Sequence, residues 1–274
     1  MPALIFDCDG VLADTEQYGH LPAFNQTFTD FDVPVQWSVE DYAEKVKIGG
    51  GKERMRSILT PSLTTSLGLA DDDDAVDAAI LSWHKRKTEV YKGLVESGVM
   101  PARPGIARIV QEAHDAGWKL AVASTSAEPA VRAVLTHAVG PDLAAHFSVF
   151  AGDVVPAKKP APDIYLLALS ELEVSVDDAI VVEDSSNGLR AAVGAGLRTV
   201  VTVSGFTREE DFTGASLVVS SLGDPDGEQA EILADPRGAG PSGVVTLATL
   251  QTLLSAPGPA SQAAAHPSTE TETP

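Results

Sequence analysis

Apolar runs of strand length alternate with amphipathic stretches over the second half of this chain. Residues 119–123, 179–182 and 199–203 are mostly apolar runs, and residues 149–151 and 217–219 are shorter ones. Between them, residues 106–116, 128–137, 163–172 and 188–195 carry apolar positions at helical spacing. A Pro104-Gly105 pair marks the start of the first of these helices. Strands that alternate with helices pair in parallel through right-handed crossovers. Residues 3–6 have the same buried-strand character at the N-terminus and belong to the same sheet. Residues 217–219 are expected to form its edge strand.

Residues 15–100 lack this alternation and read mostly as helix, broken by Gly49-Gly50-Gly51 and by the acidic run Asp71 to Asp74. That run is expected to be a solvated loop or helix start. The pattern therefore predicts an α/β fold, a Rossmann-like parallel-sheet core with an inserted α-helical cap. The core is expected to comprise residues 1–14 and 101–222, and the cap residues 15–100. Residues 223–274 form a C-terminal extension, with one helix over 243–255. Residues 256–274 are rich in Ala, Pro, Ser and Thr and are expected to be disordered. No internal repeat is visible.

Composition narrows the partners. The 274 residues carry a net charge of −20, which disfavours nucleic acid and anionic membranes as partners. No run is long and apolar enough to span a bilayer. The single cysteine, Cys8, excludes an internal disulfide and fits a reducing compartment. It lies in an apolar strand, where a free thiol usually packs as a small hydrophobe. A monomer is expected. No targeting segment is visible at the N-terminus, so the expected location is the cytoplasm, or the chloroplast stroma if a transit peptide precedes this sequence.

Four motifs carry the chemistry, each at a strand end. In Phe6-Asp7-Cys8-Asp9-Gly10, two carboxylates two residues apart leave an extended backbone on the same side. Open α/β sheets bind ligands at this carboxyl edge. One carboxylate can attack phosphorus and the other can deliver a proton to the leaving oxygen. Taken alone, the pair also fits a metal site or a loop. Ser124, Thr125 and Ser126 follow a strand, and their hydroxyl and N–H groups can form an anion site or an ordinary helix cap. In Lys158-Lys159-Pro160-Ala161-Pro162, a lysine held rigid by the prolines that follow it can neutralise phosphate oxygens, or can be a plain surface loop. The run 180–182 ends in Glu183 and Asp184. Asp184 and Asp7, with the Asp9 backbone carbonyl, suit Mg2+, while Glu183 is a further ligand or a support. Asp184 also fits a helix cap.

Basic residues are few, so their clustering is informative. Lys47, Lys52 and Arg54 flank the glycine run, and Lys85, Arg86 and Lys87 follow in the same segment. Glycine N–H groups such as that of Gly50, with a bidentate arginine, suit a second, non-reacting phosphate. His20 is a packing group or a substrate contact.

On these four motifs the sequence resembles the haloacid dehalogenase-like hydrolase superfamily over about residues 3–222. The resemblance implies that Asp7 is a nucleophile forming an aspartyl-phosphate and Asp9 the general acid/base. It implies that Ser124 and Lys159 hold phosphate, and that Asp7, Asp9, Glu183 and Asp184 serve magnesium. Asp14-Thr15-Glu16, His20, the segment from Lys47 to Met55, and Ala151 to Pro156 resemble CbbY-type proteins. That resemblance implies a phosphatase that converts xylulose 1,5-bisphosphate, a Rubisco inhibitor, into xylulose 5-phosphate. Glu16, His20, Lys47, Gly50, Arg54, Lys87, Thr125 and Ser126 are then the expected substrate contacts. Ala127 departs from the pattern, because relatives commonly carry Asn there. A phosphoglucomutase-like phosphotransferase, or a phosphatase of another phosphosugar, is the alternative on the same motifs.

Overall fold

A computed structural model describes residues 1–48, 50–69 and 73–256. The described residues fall into two compact units, one formed by residues 1–13 and 101–256, the other by those between 14 and 100.

The first unit is built on a seven-stranded sheet. Its strands are β1 (Ala3–Phe6), β2 (Lys119–Ser124), β3 (Phe147–Ala151), β4 (Ala179–Glu183), β5 (Arg198–Thr202), β6 (Leu217–Val219) and β7 (Ile232–Ala234). Their order is β3-β2-β1-β4-β5-β6-β7, and every pairing except β6 with β7 is parallel. β6 is therefore not the edge strand expected from the sequence. The antiparallel β7, whose three residues are all exposed, lies outside it. Its apolar run, Ile232-Leu233-Ala234, is only three residues long and is closed by Glu231 and Asp235, so the sequence pattern passes over it.

β1, β4, β5 and β6 are buried at every position, as a parallel sheet covered on both faces requires. β1 pairs with β2 on one side and β4 on the other, so chain order reverses beside it. Such a switch point opens a crevice at the carboxyl ends of the strands.

The second unit is helical. A one-turn π-helix, Glu16–His20, leads into α1 (Leu21–Asp30), followed by α2 (Val39–Lys45), α3 (Gly51–Arg56), α4 (Pro61–Ser66) and α5 (Asp73–Ser97). Ser38 and Asp41 form a reciprocal capping box on α2. Of the acidic run, Asp73 and Asp74 open α5, where negative charge suits the helix N-terminus, and Asp71 and Asp72 lie outside the described residues. Phe24, Phe28, Trp37 and Tyr42 form the aromatic centre of this unit.

The sheet unit is completed by α6 (Ile106–Asp115), α7 (Glu128–Val139), α8 (Pro141–Ala144), α9 (Asp163–Leu172), α10 (Ser186–Gly194) and α11 (Leu247–Ser255). On one face of the sheet, Ile164, Tyr165 and Ala168 of α9 and Ala191 of α10 pack on Ile5, Ala123 and Val181. The stretch beyond residue 222 supplies β7 and α11 to this unit. The disorder expected over 256–274 falls, except for Ala256, outside the described residues. None of the described helices is long and apolar enough to cross a membrane.

Candidate active site

Parallel pairing brings the ends of β1, β2 and β4 to one edge. Phe6 is in register with Val122 and Val182, so Asp7, Ser124 and Glu183 all follow within a residue or two of that level. The Asp7 N–H donates to the Val182 carbonyl at 2.9 Å, which continues the ladder through the aspartate itself. Among the described residues, Asp7, Glu183 and Asp184 are the acidic group close enough to share a metal, with one oxygen from each within 4.8 Å of the others. Hard carboxylate oxygens in a partly buried cluster fit magnesium by donor chemistry.

Lys159 sits at the centre of this arrangement. Its ammonium donates to Asp7 Oδ1 at 2.7 Å, to Glu183 Oε1 at 2.6 Å and to the Ala123 carbonyl at 2.9 Å. Its three protons thus meet three acceptors from β1, β2 and β4. Lys158, its neighbour, turns outward to Asp153 at 2.7 Å. Burial works to depress the Lys159 ammonium, but Asp7 and Glu183 outweigh it and push the group up, so it stays charged. Asp7 behaves oppositely. Burial raises its carboxyl to about 7 despite the attraction of Lys159, and the Glu183 and Asp9 charges add to the rise. Too many carboxylates face one lysine, and a buried excess of negative charge is costly without a further cation.

Glu183 is wholly buried and also accepts from the Tyr165 hydroxyl. Tyr165 escapes a motif reading because it sits one helix away, in α9. Its signal is a lone aromatic hydroxyl on an apolar helix face that directly follows the Lys-Pro segment. Asp9 Oδ2 accepts from the Ser126 hydroxyl, so Ser126 touches the second aspartate of the pair. Ser124 is buried, and its hydroxyl accepts the Ser126 N–H at 3.1 Å, while Thr125 is exposed. These hydroxyls do not cap α7. Its N-cap is Ala127, with no side-chain cap. Asp184 does not cap α10 either, because Ser185 does so by accepting the Gly188 N–H at 3.2 Å. Asp184 is therefore not consumed by the cap alternative. Cys8 is buried between the two aspartates, and burial together with Asp9 and Asp7 pushes its thiol up, so it stays neutral.

In the helical unit, the Arg54 guanidinium donates to the Tyr42 hydroxyl at 2.7 Å and to the carbonyls of Ile48 at 2.9 Å and Val46 at 3.2 Å. Tyr42 in turn donates to Glu16 Oε2, which lies 3.6 Å from Arg54. Glu16 and Arg54 are thus joined through a tyrosine that the motif reading missed. Lys87 is buried, with its ammonium 2.7 Å from His20 Nδ1 and over the rings of Phe24 and Tyr91. Burial, then Lys87 and Arg54, hold the His20 imidazole well below its usual range. A neutral His20 can accept the Lys87 proton at Nδ1. Lys47 is exposed and pairs with Glu44 at 2.7 Å. Gly50 has φ +93° and precedes α3, with the Glu53 carboxylate close against it. Gly49 lies outside the described residues.

Residues 1–196 match the haloacid dehalogenase-like hydrolase family. The chain is 46% identical to a CBBY-like protein of Arabidopsis thaliana over 84% of its own length and 72% of the relative's. It is 42% identical to the protein CbbY of Cereibacter sphaeroides, over 80% and 92% of the two chains. A crystal structure of mutant CbbY from Rhodobacter sphaeroides in complex with xylulose 1,5-bisphosphate is 41% identical. It superposes with a TM-score of 0.66 over 81% of this chain and 95% of that one. By both sequence and architecture, this chain is a hydrolase belonging to the haloacid dehalogenase-like family.

Proposed function

We propose that this chain is a magnesium-dependent sugar phosphate phosphatase acting on xylulose 1,5-bisphosphate through an aspartyl-phosphate on Asp7. The observation that carries the reading is the Lys159 ammonium, shared between Asp7 and Glu183 in a cluster of carboxylates at the sheet's switch point. Lys159 fixes the Asp7 carboxylate in orientation and keeps a positive charge beside the phosphate that Asp7 attacks. Asp9, two residues on, gives its proton to the departing sugar oxygen, and then takes one from the water that cleaves the acyl-phosphate. Ser126, bonded to Asp9, holds that carboxyl in place. Ser124 and the exposed Thr125 bind phosphate oxygens.

Asp7, Glu183 and Asp184, with the Asp9 carbonyl, would hold Mg2+, which supplies charge neutralisation at the phosphate. The excess of carboxylates over lysine at this cluster supports a divalent cation there. Glu16, His20, Lys47, Gly50, Arg54 and Lys87 of the helical unit provide substrate selectivity. The resemblance of this unit to CbbY-type proteins and the bisphosphate complex of the Rhodobacter sphaeroides relative support a sugar with two phosphates. The product is then xylulose 5-phosphate, and the protein works alongside Rubisco, in a chloroplast stroma or a bacterial cytoplasm.

A β-phosphoglucomutase of Bacillus subtilis is 30% identical over 82% of this chain and 91% of its own. It makes phosphate transfer back to sugar the second reading. Free phosphate should be measured across a panel of sugar phosphates with Mg2+ present. Stoichiometric release from xylulose 1,5-bisphosphate supports the phosphatase, whereas isomerisation of a hexose 1-phosphate without phosphate release overturns it.

A further inference from the structure

Arg103 stands just after the point where the chain re-enters the sheet unit, and no motif includes it. Its guanidinium reaches four backbone carbonyls. One Nη donates to Gly10 and, at 3.1 Å, to Thr202, while the other donates to Ser220 and, at 2.7 Å, to Val203. These oxygens lie at the carboxyl ends of β1, β5 and β6, where strand pairing no longer supplies donors.

Two of the four contacts lead straight to the acidic cluster. Gly10 has φ +74°, and its Cα faces Asp184 so closely that a Cβ there would lie 2.1 Å from Oδ2. Thr202 donates its hydroxyl to the Glu183 carbonyl at 3.4 Å. The backbone of Arg103 is tied in as well, since its N–H donates to Leu12 at 3.0 Å and Ala102 bridges Ala13 in antiparallel fashion. The two passages between the units, after residue 13 and before residue 101, thus run side by side within the sheet unit. One side chain fastens this ribbon to three strand ends.

We infer that Arg103 is a positioning residue for the phosphatase reaction, holding the Asp9-Gly10 turn against Asp184. The inference rests on the reading of Asp7 and Asp9 as the reacting pair. A merely structural clamp would cost stability and leave the chemistry of each folded molecule unchanged. A positioning residue instead lowers kcat at nearly constant KM, because misplacing reacting groups by about an ångström costs on the order of 100-fold.

The test compares phosphate release by the wild type, Arg103→Lys and Arg103→Ala, normalised to the folded fraction from near-ultraviolet circular dichroism. Expected are a fall in kcat of roughly 100-fold for Arg103→Ala with KM within about 3-fold, a smaller fall for Arg103→Lys, and partial recovery of Arg103→Ala with millimolar guanidinium. Arg103→Lys keeps the charge and the aliphatic stem, and serves where the alanine variant does not fold. Unchanged kcat per folded molecule in either variant overturns the inference. A wild type that releases no phosphate from any sugar phosphate fails the proposed function instead.

Discussion

Gly10 lies against Asp184: a methyl group on Gly10 would come within 2.1 Å of Asp184 Oδ2. Its φ of +74° is also one that L side chains rarely adopt. The turn after the first strand and the acid after the fourth are therefore fitted to each other. Gly10→Ala must either shift the Asp9-Gly10 turn or displace the carboxylate. The expected outcome is a loss of about 1 kcal/mol or more in stability from the backbone alone, seen by urea unfolding. Phosphate release per folded molecule should fall at least 10-fold, and retention of wild-type turnover would show that the fit is dispensable.

Gly188 makes the matching contact on Glu183, since a Cβ there would lie 2.0 Å from its carboxylate. Gly188→Ala should displace Glu183 from Lys159. Because Glu183 is wholly buried, the displaced charge has no solvent to receive it. The expected result is a lower melting temperature and a loss of turnover together. An alanine variant as stable as the wild type would mean that Glu183 relaxes at no cost.

Asp7 gives a pH dependence whose sign is fixed by its environment. Burial lifts its carboxyl from the ordinary 3.8 to about 7 in the folded protein. Between those values the folded state holds a proton that the unfolded state has released. The contribution of Asp7 to stability is therefore present below about pH 4 and is lost as pH rises through 7. Asp7→Asn removes that loss and also removes the nucleophile. With metal chelated, the variant is expected to melt higher than the wild type at pH 8, with the gap narrowing toward pH 5, and to release no phosphate. Equal melting at pH 8 would mean that Lys159 fully offsets the buried charge.

Much of this was legible in the sequence. Buried parallel strands carry unbroken apolar runs, so β1, β2, β4 and β5 announce themselves, and the acids that end them follow directly. The resemblance then assigned roles that Asp7 or Asp184 alone would not carry. What stayed hidden was tertiary. Tyr165, Tyr42 and Arg103 act through partners 18, 12 and 93 residues away in sequence, and beyond the lone hydroxyl of Tyr165 on an apolar helix face nothing local marks them. β7 was missed because its apolar run is three residues long, between Glu231 and Asp235, in a segment otherwise rich in polar residues, glycine and proline.

The surplus of carboxylate around Lys159 predicts a response to metal. Mg2+ binding to the folded state alone should raise the melting temperature with concentration, by mass action. Asp184→Asn removes one of the three clustered carboxylates, and should weaken that response about 10-fold or more in the concentration needed. Thermal shift titrations with Mg2+ and with Na+ at matched ionic strength measure it. A wild type indifferent to Mg2+ would contradict the metal assignment.

Arg54 separates geometry from charge in the helical unit. Three of its donors hold Tyr42, Ile48 and Val46, and only a planar fork reaches all three. Arg54→Lys keeps the charge and loses the fork. Charge-assisted bonds of this kind contribute about 1.5–3 kcal/mol each when both partners are well placed. The segment between Val46 and α3 should therefore exchange amide hydrogens faster in the variant. If that segment also forms part of the substrate site, KM for xylulose 1,5-bisphosphate should rise about 10-fold while kcat on a generic monophosphate ester stays near the wild-type value. Faster exchange with an unchanged KM would confine Arg54 to holding the turn, and leave the second phosphate to Lys87 or to Lys47.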